Sequence, residues 1–218
     1  NQAQSTFVTT VASQTSERIV HIPIVVELES SYDNGNYVYY KTDKNWTADG
    51  AYIAYQKYCE TANIKPLPIS EFKKNSVQGY LGSFYNATKL NTMKRSPDEF
   101  VYYQPSDQIK SSLIIYDKGM VYNNYSVCGN KIYRSAPQYA ILGRDAERYE
   151  INTTANGGSL LIIGDESVNS FVPFLLSHYR RIDIINPNRF NTSFETFFEN
   201  RNYDDCLIMC YSTNSISG

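Results

Sequence analysis

From residue 159 onward, short apolar runs alternate with amphipathic ones, and this pattern constrains the fold more than any other feature of the chain. The periodicity predicts strands over 159–163, 181–186 and 205–211, with helices over 168–179 and 193–201 between them. Short apolar strands joined by helices pack as right-handed βαβ units on a parallel sheet. Such sheets bind ligands beyond the carboxyl ends of their strands. Gly164-Asp165-Glu166-Ser167 follows the run Leu160-Leu161-Ile162-Ile163 and so stands where a site belongs.

The upstream half is less regular. Residues 19–28 and 37–41 read as strands, joined by the turn-rich Ser31-Tyr32-Asp33-Asn34-Gly35-Asn36. A helix follows with Thr47 as its N-cap, because Ala51, Ala54/Tyr55, Tyr58/Cys59 and Ala62 recur at three- and four-residue steps. Pro66-Leu67-Pro68 ends it. Residues 69–108 read as irregular, with a glycine-aromatic patch at 79–85. Short β-like runs fill 112–149, with turns at Asp117-Lys118-Gly119 and Gly129-Asn130. The expected organisation is an extended or flexible arm over 1–16 and one α/β domain over 17–218. That domain is a parallel sheet flanked by helices, with a β-rich insertion.

Composition narrows the partners. A formal charge of -2 without a Lys/Arg cluster argues against nucleic acid and anionic membranes, and no apolar run is long enough to span a bilayer. Twenty tyrosines suit wet surfaces, sugar-stacking platforms and protein interfaces. The chain starts at Asn1 rather than Met, which is expected of a processed or trimmed product and is consistent with export. Cys206 and Cys210 share a strand-like run at roughly 13 Å, beyond disulfide reach. Cys59 and Cys128 have no implied partner. With only His21 and His178, no metal site and no cofactor are expected.

Two segments carry a resemblance. Asp43-Lys44-Asn45-Trp46-Thr47-Ala48-Asp49-Gly50-Ala51-Tyr52 is similar to the segment that gives the DHHW family of bacterial surface proteins its name, where Asp-His-His-Trp-Thr precedes a Gly-Ala-Tyr helix. Gly164-Asp165-Glu166-Ser167-Val168-Asn169-Ser170-Phe171-Val172-Pro173-Phe174-Leu175 resembles that family's Gly-Asp-Ser block, which continues Asn-Ser-Phe-x-Pro-Phe-Leu. Gly82-Ser83-Phe84-Tyr85, Pro97-Asp98 and residues 139–151 fit between them in the same order. The resemblance covers about residues 37–212 and implies an SGNH-like fold related to the alginate O-acetyltransferase group. It also implies a serine-histidine-aspartate site acting on acyl esters of surface carbohydrates.

Carried over residue by residue, the triad is broken. Asp43 keeps the orienting carboxyl, Asn45 occupies the base position, Lys44 the histidine position before it, and Glu166 the nucleophile position. An amide cannot take up a proton at neutral pH, and losing one triad member already costs several orders of magnitude in rate. Ser167 is the rescue candidate for an active esterase or acetyltransferase, but it needs a base. His178 is about 16 Å along the expected helix, too far to serve, and reads as a cation at that helix's C-terminus. Of five Asn-x-Ser/Thr sequons, the one at Asn45 falls inside the inherited site and is not expected to carry a glycan.

The expectation is therefore a catalytically inactive binding or assembly domain at a cell surface or outside the cell. Its partner would be a surface polysaccharide, held by Asp43, Asn45, Trp46, Asp165, Glu166 and Asn169, or copies of itself.

Overall fold

The computed structural model describes residues 19–130 and 136–210; the expected arm over 1–16 lies outside them. A six-stranded sheet runs in the order β4-β3-β5-β7-β6-β8. Its strands are β3 (Ser111–Asp117), β4 (Met120–Tyr125), β5 (Arg148–Thr153), β6 (Ser159–Gly164), β7 (Arg181–Ile185) and β8 (Asp205–Met209). Strand β6 lies between β7 and β8 and is parallel to both, as the alternating pattern predicts. The β-rich stretch expected as an insertion instead continues this sheet, because β5 pairs antiparallel with β7 and β3 antiparallel with β5. The sheet is thus mixed, with helices against it.

Helix α1 (Val25–Asp33) and helix α2 (Ala48–Thr61) precede a separate hairpin of β1 (Lys73–Tyr80) and β2 (Asp98–Gln104). Short helices α3 (Ser83–Thr88) and α4 (Asn91–Arg95) join the two hairpin strands. Helix α2 buries Ala51, Ala54, Tyr55, Tyr58 and Cys59, the face its periodicity predicts. Thr47 caps it, accepting from the Gly50 amide at 3.3 Å.

Three local expectations fail, each for a physical reason. Residues 19–28 do not form a strand; Pro23 precedes a helix that buries Leu28 and ties Glu27 to Lys57 at 3.1 Å. Residues 37–41 make only a single bridge, Tyr39 to Trp46, instead of a strand. The "irregular" 69–108 holds the hairpin, hidden because β1 is polar on both faces. The helix expected over 168–179 is also interrupted. A 3-10 turn over Glu166–Val168 is followed by α5 (Val172–Leu175), which begins around Pro173. Residues 171–176 are all buried, so tertiary packing replaces amphipathic periodicity there. The last helix, α6 (Phe194–Phe198), is shorter than predicted but in place.

Tyrosine serves the core as well as the surface. Tyr40, Tyr55, Tyr58, Tyr80, Tyr102, Tyr103, Tyr149 and Tyr179 are buried. Their rings fill volume while most of their hydroxyls find partners, as in Tyr58 to Tyr179 at 2.6 Å and Tyr103 to Asp49 at 2.9 Å. The four cysteines are free thiols. No described helix is long and apolar enough to cross a membrane.

Candidate functional site

The two motifs meet at the carboxyl end of β6. Gly164 is required there, since a Cβ would strike Val168 Cγ2 and the Met209 carbonyl. Asp165 is buried and caps the following 3-10 turn, its Oδ1 accepting from the Ser167 amide at 3.0 Å. The Trp46 indole N–H donates to the Ser167 carbonyl at 3.0 Å, which fastens the first motif to the second. Trp46 is 8% exposed and so acts as a strut inside the molecule rather than a stacking surface.

Asp43 is buried and heavily bonded. Its Oδ1 accepts from the Asn45 amide at 2.8 Å and from Asn45 Nδ2 at 2.6 Å. Its Oδ2 accepts from the Tyr80 hydroxyl at 2.6 Å and the Ser83 amide at 2.8 Å. Gly82 leaves room for this carboxyl, because a Cβ at that position would overlap it. A second buried carboxyl, Asp98, supports the same turn. It accepts from Thr42 Oγ1 at 2.6 Å, the Thr42 amide at 2.8 Å and the Lys41 amide at 3.1 Å, and it also receives the Tyr37 hydroxyl. The sequence marks Asp98 only as a landmark; its role here is to position the turn that carries Asp43.

An ion pair joins the two motifs. Lys44 Nζ pairs with Glu166 Oε1, and both side chains are 37% exposed. Ser167 Oγ is buried and has no hydrogen-bond partner in the structure. His178 is not at the site. Its Nε2 lies 2.7 Å from the Tyr55 hydroxyl, and burial lowers its pKa below the usual histidine value, which favours the neutral ring over the cation expected at that helix end. His21 is exposed near the start of the described chain.

A cleft of about 390 Å³ opens beside the motifs. Asp43, Asn45, Glu166 and Asn169 line it, whereas Trp46, Asp165 and Ser167 do not. Its other wall was not foreseen. That wall comes from Gln138 and Tyr139 in a 3-10 turn, Asp145, and Asn186, Asn188 and Arg189 beyond the carboxyl end of β7. Arg189 is held by buried Asp117 at 3.1 Å, and Arg144 reaches the same carboxyl at 3.3 Å. The one available signal was topological: β7 ends beside β6, so the residues just after both strands face a common edge. Among the described residues, no group of three or more His, Cys, Asp or Glu is placed to hold a metal ion.

The profile of the DHHW family, described as DHHW protein, matches residues 3–185. The chain belongs to the DHHW family. Its fold is similar to a DHHW family protein from Eubacterium siraeum at a TM-score of 0.81 and 25% identity, covering 93% of this chain and 68% of that one. PatB1 from Bacillus cereus is similar at a TM-score of 0.79 and 19% identity, covering 95% and 73% of the two chains. A second PatB1 structure, with a sulfonyl adduct, gives 0.75 and 17%, with 93% and 71% covered. No curated protein gives a significant match. The family and the SGNH-like α/β fold expected from the two motifs are thus both established.

Proposed function

We propose that this DHHW domain binds a carbohydrate outside the cell or at its surface and performs no acyl transfer. The observation that carries the reading is the Lys44–Glu166 pair, which sets mutually neutralising charges at the nucleophile position and at the position just before the base. Asn45, at the base position, gives its side-chain N–H to Asp43 and offers no basic nitrogen. The cleft beside them remains open and is lined mainly by amides, hydroxyls and aromatic rings, the groups that recognise sugar hydroxyls and ring faces. Asp43, Asn45, Glu166 and Asn169 make the polar contacts from the motif side. Trp46 and Asp165 act by holding the two motifs in register.

An active O-acetylesterase or O-acetyltransferase using Ser167 is the competing reading. The burial of Ser167 Oγ and its lack of any base within hydrogen-bond reach weigh against it. A self-assembly role has its own support, since the end strands β4 and β8 expose Val121 at 61% and Ile208 at 66%. The test of the main reading is a glycan array probed with the purified chain, run beside an acetate-release assay on acetylated polysaccharide. Binding that Asn169→Ala weakens, without acetate release, supports the proposal. Acetate release abolished by Ser167→Ala overturns it.

A further inference from the structure

Strand β8 ends the sheet, and among the described residues no strand pairs with its outer edge. Just past β6, the Met209 carbonyl accepts from the Asp165 amide at 3.3 Å. A residue in a parallel ladder directs its N–H and C=O to one side, so Leu207 and Met209 turn theirs to β6. Cys206 and Ile208 turn theirs outward. Natural edge strands blunt such a row with charges, proline or a bulge. Strand β4 at the other end does so, its register against β3 shifting between Leu113 and Ile115. Residues 206–210 hold no charge and no proline, and β8 keeps an unbroken register with β6.

The same five residues are self-complementary. Cys206-Leu207-Ile208-Met209-Cys210 reads alike in both directions, with a cysteine at each end and a large apolar residue on each side of the isoleucine. Ile208 is 66% exposed, and Cys206 and Cys210 are exposed free thiols. Contact about a two-fold axis needs a surface that matches itself. An antiparallel pair centred on Ile208 provides one, setting isoleucine against isoleucine, Leu207 against Met209 and Cys206 against Cys210 across the axis. The apolar surface continues inward to Ile163, the register neighbour of Ile208, which packs beside Phe197. On α6 the Phe194 and Phe198 rings stack at 6.2 Å, each residue 39% exposed.

We infer that β8 pairs antiparallel with β8 of a second copy of this chain, in a register centred on Ile208, so that two sheets become one. The inference rests on the self-assembly reading, for which it selects β8 over β4. It is independent of whether the cleft binds carbohydrate.

Sedimentation equilibrium of the purified chain under reducing conditions is expected to show a concentration-dependent dimer. Ile208→Lys sets two like charges face to face and is expected to raise the dimer dissociation constant roughly tenfold. The side chain is already exposed, so the thermal melt should not move. The register is read by oxidation. Directly opposed, hydrogen-bonded residues of an antiparallel pair stand about 5.5 Å apart at Cα, within disulfide reach. Cys210 Sγ gives up only a 4.0 Å contact with the Ile163 carbonyl. Burial raises the pKa of both thiols, so the reaction is run at alkaline pH with oxidised glutathione. Each Cys206–Cys210 pair then yields one disulfide, and its two electrons and two protons leave on two molecules of reduced glutathione. Peptide mapping of the covalent dimer is expected to recover Cys206 joined to Cys210. A monomer at every concentration overturns the inference, and glycan binding by that monomer leaves the carbohydrate reading standing. A dimer that Ile208→Lys leaves intact, or a Cys206–Cys206 link in place of the expected one, also overturns it.

Discussion

The turns around Asp43 and Glu166 meet at the Lys44–Glu166 ion pair and the Trp46–Ser167 hydrogen bond, yet they are built on opposite principles. The first is organised by polar bonds. Two buried carboxyls, Asp43 and Asp98, gather amides and hydroxyls from Lys41 through Asn45, from Tyr80 and from Ser83. The second is organised by apolar burial. Phe171, Val172, Phe174 and Leu175 are fully buried, and its polar fastening is the Asp165 cap together with the Trp46 indole. The difference shows which side chains each scaffold depends on. Asp43 has structural partners that only a carboxyl satisfies, so it is held in place whether or not chemistry occurs. Lys44, Asn45 and Glu166 stand at partly or well exposed positions whose replacement leaves both scaffolds intact.

The largest expected effect is in the apolar half. Phe174 stacks on Tyr55 at 5.4 Å and meets Phe72 edge-on at 5.0 Å. Phe174→Ala should cost about 3–5 kcal/mol, read as a lower urea midpoint at unchanged slope. Next comes the polar half. Asp43→Ala strands the Tyr80 hydroxyl and the Asn45 and Ser83 amides, and should cost about 3 kcal/mol in the same assay. An Asp43→Asn variant that lost as little as a surface substitution would erase the contrast between the two halves.

A smaller effect depends on pH. His178 has its pKa lowered by burial, so below the ordinary value of 6.5 the unfolded chain takes up a proton that the folded chain resists. Its contribution is present above that value and is lost as pH falls through it. Wild type minus His178→Gln stability should therefore decline on acidification from about pH 6.5, followed by thermal melts across the range. The smallest effect is at the ion pair itself. Lys44→Met removes a pair with both members 37% exposed and should change stability by less than about 1 kcal/mol.

The sequence made the parallel strands and helix α2 legible because both repeat their apolar residues at the period of their geometry. It misplaced β1 because a polar hairpin strand carries no period-two signal, and α1 because β-branched residues 19–28 imitate a strand. The helix after Glu166 was overextended because a segment buried on all sides has no amphipathic pattern to mark its breaks. Of the residues that line the cleft, Asp43, Asn45, Glu166 and Asn169 were marked by motif positions. Tyr40, Gln138 and Arg189 were not, since only the tertiary fold brings three distant segments to one edge of the sheet.

The central claim is that this cleft holds no activated nucleophile, and covalent labelling tests it most directly. Treatment with a fluorophosphonate probe, followed by mapping of any adduct by mass spectrometry, should leave Ser167 unmodified. A stoichiometric adduct on Ser167 would show an activated serine and contradict the account.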